Sequence, residues 1–472
     1  MKNLDICNMS AWDMREEIAA GRISPVEVVD AVLDRIESIN QRVNAYCTVV
    51  AESAREEARK AEAAVARRDA LGPLHGVPVS IKDLVFTKGI RTTGGSRLFE
   101  NFVPDVDSVV VERLKGAGAI VVGKTNTPEF GWVGVTENLV FGPTCNPWDT
   151  GRTSGGSSGG AACAVALGMG PLAVGSDGGG SIRTPASFCG VFGLKPSYGR
   201  VPAAPGFPGL WEGLSVTGPI TRTVRDAALM MEVIAGRDDR DWSSLPDTNL
   251  SYVPLLDGDL KGARVAWSPD LGYAVVDERV LRATEAAVKV FRDLGCTVEL
   301  AAPAVSSPQQ YFSTQVAASN AAFPGSRLKD SPDLVDPALA RFIERSRSIP
   351  AADYVNARIA LADYTVKVWA FFKEYDFLLT PVLAVPPFEV GNYYGPREIA
   401  GREVDPLAWM PFTYPFNATG QPAASMPCGW TEEGLPIGLQ IVGRRFDDAS
   451  VLRAAAAFER AAPWADRYRL LD

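Results

Sequence analysis

Two serines in glycine-rich settings and one lysine carry the residue types from which an acyl-transfer site can be built. Ser157 lies in Gly155-Gly156-Ser157-Ser158-Gly159-Gly160, and Ser181 in Asp177-Gly178-Gly179-Gly180-Ser181-Ile182-Arg183. Lys82 follows the short apolar run Val77-Pro78-Val79-Ser80-Ile81. Glycine at this density marks turns, positive φ or close approach of bare backbone to a ligand. A flexible Gly/Ser linker has a similar composition, but a linker does not enclose an apolar run such as Ala161 to Val174. The expectation is therefore two loops at element ends, each presenting a serine and open N–H groups.

A serine nucleophile must lose its proton to a base. Gly155 to Gly159 matches the G-x-S-x-G elbow, which requires a histidine later in the chain. The single histidine, His75, lies upstream, so a Ser-His-Asp triad is excluded by chain order. Lysine is the available substitute, because a desolvated amine can be neutral. Composition alone would place Lys82 at the surface, as charged residues at strand ends usually are. A second pattern, Ser326-Arg327-Leu328-Lys329, has the S-x-x-K spacing but lacks a K-T-G partner and is discounted.

A nucleotide reading also arises and fails. Gly118-Ala119-Ile120-Val121-Val122-Gly123-Lys124-Thr125 satisfies G-x-x-x-x-G-K-[ST] letter for letter. A phosphate loop needs its variable residues in a loop whose N–H groups are free. Here they are Ala, Ile, Val and Val, the makings of a strand. Phe130 and Trp132, flanking Gly131 upstream of Ser157, either line a pocket or pack into the core, and the sequence leaves both open.

The elements that must position these residues read as alternating helices and strands. Ser10 caps a short helix ending near Gly21, and Ser24-Pro25-Val26-Glu27 sets a capping box. Val26, Val29, Leu33, Ile36 and Ile39 follow at helical spacing, and Ala51 to Ala70 is a strong helix former. Strands are expected at Val77 to Ile81, Ala119 to Val122, Val265 to Trp267, Phe377 to Pro381, Ala423 to Met426 and Ile437 to Val442. Helices are expected near Val224 to Ala235, Asp277 to Leu294, Ala352 to Tyr375 and Ala449 to Ala461. Residues 301–350 show no period. Alternation throughout favours an α/β fold with a mixed sheet, read as one domain over 1–472: a helical part about 1–70, a catalytic core about 71–235, and a part about 236–472 completing sheet and pocket.

Composition narrows the class. The 472 residues are 46% hydrophobic and 22% charged, ordinary for a globular chain. A net charge of −9 without a basic cluster argues against nucleic acid. The seven cysteines are scattered and never C-x-x-C, which fits reduced thiols in a cytoplasmic protein and offers, with one histidine, no metal ligand set. The first residues lack an apolar signal region, and no apolar run reaches membrane-spanning length.

Taken together, the motifs resemble the amidase signature hydrolases over nearly the whole chain. Gly76 to Asp83 resembles the family's lysine motif, Gly155 to Gly160 its first serine motif, and Gly175 to Arg183 its second. Asn417-Ala418-Thr419-Gly420-Gln421-Pro422-Ala423 resembles its closing segment. The resemblance implies an amidase signature fold, a central mixed sheet with helices on both sides. It makes Ser181 the nucleophile, Ser157 the bridging serine on a cis peptide bond, and Lys82 the base, now inside the protein. A free lysine, with pKa about 10.4, is neutral roughly once in a thousand at neutral pH; burial lowers that cost. The N–H groups of Gly178, Gly179, Gly180 and Ser181 are implied as the oxyanion hole, where one donor is typically worth about 2.7–4 kcal/mol. Asp177 and Arg183 are expected to brace the loop, and Ser158 and Thr153 to order the relay or serve as turn residues.

The implied reaction is amide hydrolysis without cofactor or metal, on a small-molecule amide; the resemblance also makes Phe130, Gly131 and Trp132 part of the acyl pocket, which implies an apolar or aromatic substrate. The Asp-Gly-Gly-Gly-Ser and Gln421-Pro422 sequences resemble the stand-alone amidases of aryl or alkyl amides more than the alternative, a glutaminase subunit of aminoacyl-tRNA amidotransferase; an ester, hydrazide or urea substrate is also open. Homodimers are common among such proteins.

Overall fold

Short apolar runs bounded by turn residues become the strands of one sheet. The computed structural model describes residues 3–207, 211–248, 250–328 and 331–471. In chain order the strands are β1 (Tyr46–Val49), β2 (Pro78–Lys82), β3 (Ile120–Thr125), β4 (Leu172–Asp177), β5 (Phe192–Lys195), β6 (Val216–Thr221), β7 (Arg264–Trp267), β8 (Thr297–Leu300), β9 (Phe377–Pro381), the small hairpin β10 (Glu398–Ile399) and β11 (Arg402–Glu403), then β12 (Ala423–Trp430) and β13 (Pro436–Gly443). Eleven form a mixed sheet in the order β1-β3-β2-β4-β6-β5-β12-β13-β9-β7-β8. β2 pairs in parallel with β3 and β4, whereas β4 pairs antiparallel with β6.

Successive side chains of a strand point to opposite faces, and here both faces are buried. Leu379 and Ile441 enter one hydrophobic core, while their neighbours Leu378 and Val442 enter another. The first core holds residues from the helices Pro25–Val43, Gly159–Ala166, Val224–Ile234 and Asp448–Ala461; the second holds Tyr364 and Val368 of the helix Ala351–Phe371. Helices therefore cover the sheet on both sides, the fold class expected from the sequence.

Local signals hold at several helix starts. The Ser10 side chain accepts from the Asp13 N–H, and the Ser24 capping box is complete. The phosphate-loop look-alike lies in β3, with the Lys124 amine buried and donating to Val85 O and to the hydroxyls of Thr87 and Thr92. Two readings change. The apolar run Ala161 to Val174 divides into the helix Gly159–Ala166 and the start of β4, because Gly168 (φ +69°) and Gly170 (φ +114°) turn the chain where other residues are disfavoured. Residues 301–350 contain the helices Gln309–Ala322 and Pro337–Ser346. Lys329 of the Ser-x-x-Lys pattern lies outside the described residues.

Candidate active site

β2 runs between β3 and β4, so its last residue ends deep under the serine loops. Lys82 is 0% exposed, and its amine lies 2.7 Å from Ser157 Oγ, 2.9 Å from Ser158 Oγ and 3.0 Å from Ser176 Oγ. No carboxylate bonds it among the described residues. Burial pushes the Lys82 ammonium well below its ordinary range, against a smaller upward pull from Asp177. An ammonium donates to all three hydroxyls. A neutral amine has two N–H donors and one lone pair, so one hydroxyl must then donate to it. That reversal is what a proton relay through serine requires.

The serine loops meet directly. The Gly156–Ser157 peptide is cis. Gly156 has no room for a side chain, since a Cβ there would lie 2.6 Å from the Val135 carbonyl carbon. The Ser158 N–H donates to Ser181 O at 3.1 Å, and Ser158 opens the helix Gly159–Ala166. Ser157 is 2% exposed, whereas Ser181 is only half-buried and reachable from solvent. Ser158 therefore belongs to the lysine cluster. Thr153 does not: its hydroxyl accepts from the Gly155 N–H at 3.1 Å, so it is a turn residue of the loop.

Beneath Ser181 sits a buried ion pair. Arg183 Nε donates to Asp177 Oδ2 and Nη2 to Oδ1, both at 2.9 Å, with both side chains fully buried. Burial favours the neutral carboxyl of Asp177, but the Arg183 charge and hydrogen bonds outweigh it, helped by Lys195 and Asn417, and hold it far below the carboxylate range. Arg183 also donates to Thr413 O, Gln440 Oε1 and Asn417 Oδ1 at 2.7–2.8 Å. Removing one partner of such a pair leaves an uncompensated buried charge. Arg183→Met is therefore expected to lower unfolding free energy by about 3–5 kcal/mol, read from the denaturant midpoint. Because the Asp177 pKa is depressed on folding, the contribution is complete above the unfolded value of about 3.9 and is lost only as pH falls toward the folded value.

The loop from Asp177 to Ser181 departs from expectation at one glycine. The Gly180 N–H donates to Asp177 Oδ1 at 2.7 Å, so it is already occupied. The N–H groups of Gly178, Gly179 and Ser181 have no acceptor among the described residues, leaving three open donors rather than four. Trp211 and Phe312 cover this turn: a Cβ on Gly178 would lie 2.8 Å from the Trp211 ring, and one on Gly179 3.0 Å from Phe312. Thr413 Oγ1 donates to Gly179 O, and Asn417 Nδ2 donates to Asp177 O, both at 2.7 Å.

Ser181, Gly131 and Trp211 stand between two cavities. One, about 420 Å³, also touches Ser157, Ser176 and Gly178. The other, about 580 Å³, is lined by aromatic and apolar side chains including Trp132, Phe312, Tyr393 and Trp409. Trp132 is held there by its Nε1–H donating to Tyr393 Oη at 3.0 Å. Phe130 is a correction to the pocket expectation. It is 0% exposed and packs edge-on with Phe99, Phe207 and Phe323, because its backbone (φ +50°) turns the ring into the core. His75 stands apart, with Nε2 3.0 Å from Ala61 O.

Sequence reasoning missed Ser176, Thr413, Asn417 and Gln440. Ser176 was findable, since it lies within the Gly175 to Arg183 motif, and the parallel register of β2 and β4, with Ile81 opposite Val174, carries Lys82 toward it. Thr413 and Gln440 come from distant segments and left no local signal.

An amine buried among serine hydroxyls beside a turn of open N–H groups defines the class of serine hydrolases that work without histidine. Comparison with known proteins specifies it. The family model described as Amidase matches residues 27–452. An acylamidase from Rhodococcus erythropolis is 39% identical over 463 residues, covering 97% of this chain and 96% of that protein. One subunit of the glutamyl-tRNA(Gln) amidotransferase of Geobacter sp. (strain M21) is 37% identical over 490 residues, covering 98% and 99%. The crystal structure of a bacterial aryl acylamidase of the amidase signature family superposes with a TM-score of 0.92 at 34% identity, covering 98% of each chain. The chain belongs to the amidase signature family and is a hydrolase of amide C–N bonds. Among the described residues, no helix is long and apolar enough to cross a membrane.

Proposed function

We propose that the protein is an acylamidase working through an acyl-enzyme on Ser181, with an aromatic or other apolar acyl group. Neutral Lys82 takes the proton of Ser157, Ser157 takes that of Ser181, and the Ser181 oxygen attacks the amide carbonyl. The charge that develops on the carbonyl oxygen is stabilised by the N–H groups of Gly178, Gly179 and Ser181. The Lys82 proton then returns through Ser157 to the leaving amine, which departs, and water enters by the same relay to release the acid. The leaving amine must lie near Ser157 to receive that proton. The cavity that touches Ser157 therefore takes the amine, and the aromatic cavity takes the acyl arm.

The observation that carries this reading is the Lys82 amine bonded to three serine hydroxyls and, among the described residues, to no acid. The test is an initial-rate comparison of benzoyl-4-nitroanilide, acetyl-4-nitroanilide and glutamine as sole substrates. Release of 4-nitroaniline, faster from the benzoyl compound, is expected. Ammonia from glutamine with both anilides inert would replace this reading by that of an amidotransferase glutaminase.

A further inference from the structure

Three arginines open onto the aromatic cavity and take no part in the chemistry at Ser181. Arg341 and Arg345 stand one turn apart on the helix Pro337–Ser346, whose Phe342 lines the same wall. Arg397 approaches from the segment that supplies Tyr393. None of the three has a carboxylate partner among the described residues, although Arg347 on the same helix pairs with Glu344 at 2.8 Å. Among the described residues, no aspartate or glutamate lines the cavity. Exposed arginines are most often only a solvated face. Yet this chain carries 56 acidic against 47 basic residues, and arginines elsewhere on its surface, such as Arg22, Arg67 and Arg152, are paired with acids. Three cations without a carboxylate partner, lining one cavity that also reaches Ser181, make the arrangement of a receptor for an anion.

Resting on the assignment of the acyl arm to this cavity, we propose that the preferred substrate is an amide whose aromatic acyl arm ends in a carboxylate, held by Arg341, Arg345 and Arg397. The chemistry matches at both ends. Trp132, Phe312 and Tyr393 offer ring faces to an aromatic body. The guanidinium presents a planar fork that fits a carboxylate with two parallel hydrogen bonds. Hydrolysis would then release a dicarboxylic acid, with one new carboxylate at Ser181 and one at the arginines.

The test is a matched series of aroyl 4-nitroanilides bearing, para to the carbonyl, a carboxylate on zero to three methylenes, each beside its methyl-ended counterpart. At the best spacer length kcat/KM is expected to favour the carboxylate by about tenfold, the order of one partly exposed charge-assisted contact. Arg341→Gln/Arg345→Gln is expected to erase that preference while leaving the methyl-ended rates and the melting temperature unchanged. Equal rates within every pair, or a variant that slows both members alike, overturns the proposal while leaving the acylamidase reading intact. If no anilide is hydrolysed, the acylamidase reading fails separately. Calorimetric titration with the free diacids of the series then decides: binding weakened about tenfold in the variant supports the anion site, and absence of binding to the unmodified protein overturns it.

Discussion

Ser181→Ala is expected to lower kcat/KM for any accepted amide by a factor on the order of 10⁵, with the melting temperature almost unchanged. The size follows from the role. Without the Ser181 oxygen no acyl-enzyme forms, and only binding and the open N–H groups remain, which in other serine hydrolases leave a small residual rate over water. Stability is spared because the side chain is only half-buried, and the contacts that fix the loop run through its backbone and through Asp177. Steady-state rates and a thermal melt on the same preparation check both halves. A loss below about tenfold would place the nucleophile elsewhere.

Lys82→Met is expected to cost about 10³–10⁴ in kcat/KM, the upper part of the range for a positioned base. Methionine keeps the buried length of the side chain and removes only the amine. The pH dependence separates this role from a structural one. In the unmodified enzyme kcat/KM is expected to rise with pH as Lys82 loses its proton, with burial placing that limb well below the ordinary lysine range. The variant lacks the limb. Stability moves in the matching direction: between the depressed folded value and the unfolded value of about 10.4 the unfolded chain binds the extra proton, so stability rises with pH across that window. Denaturant midpoints measured across it should rise less steeply in Lys82→Met.

The chemistry was more legible in the sequence than the pocket was, for a physical reason. Ser157, Ser181 and Lys82 each sit in a local pattern whose glycines or flanking strand are needed in place, so chain neighbours betray them. Composition alone put Lys82 at the surface; only the combination of three motifs placed it inside, where the structure finds it fully buried. The turn from Gly178 to Ser181 shows the limit of such patterns. Four N–H groups look equivalent in Asp-Gly-Gly-Gly-Ser, and only three-dimensional geometry reveals that Asp177 has claimed that of Gly180. Phe130 and Trp132 are two residues apart with similar chemistry, yet one is core and the other lines the cavity, decided by the left-handed backbone at Phe130. Residues 301–350 were unreadable because the helix Gln309–Ala322 mixes small and polar residues, burying Gln315 and Asn320 beside Phe312 and Val316, so no apolar stripe marks it. The arginines of the next helix, Pro337–Ser346, are visible in the sequence but point nowhere until the cavity exists.

Ser181 is the proposed nucleophile and Lys82 its proposed base. The most direct measurement is intact-mass spectrometry after brief exposure to an aryl fluorophosphonate, on the unmodified protein, Ser181→Ala and Lys82→Met. A single adduct on the unmodified protein, absent from Ser181→Ala and formed more slowly in Lys82→Met, is the expected result. An adduct that persists in Ser181→Ala, or forms equally fast without the lysine amine, would contradict it.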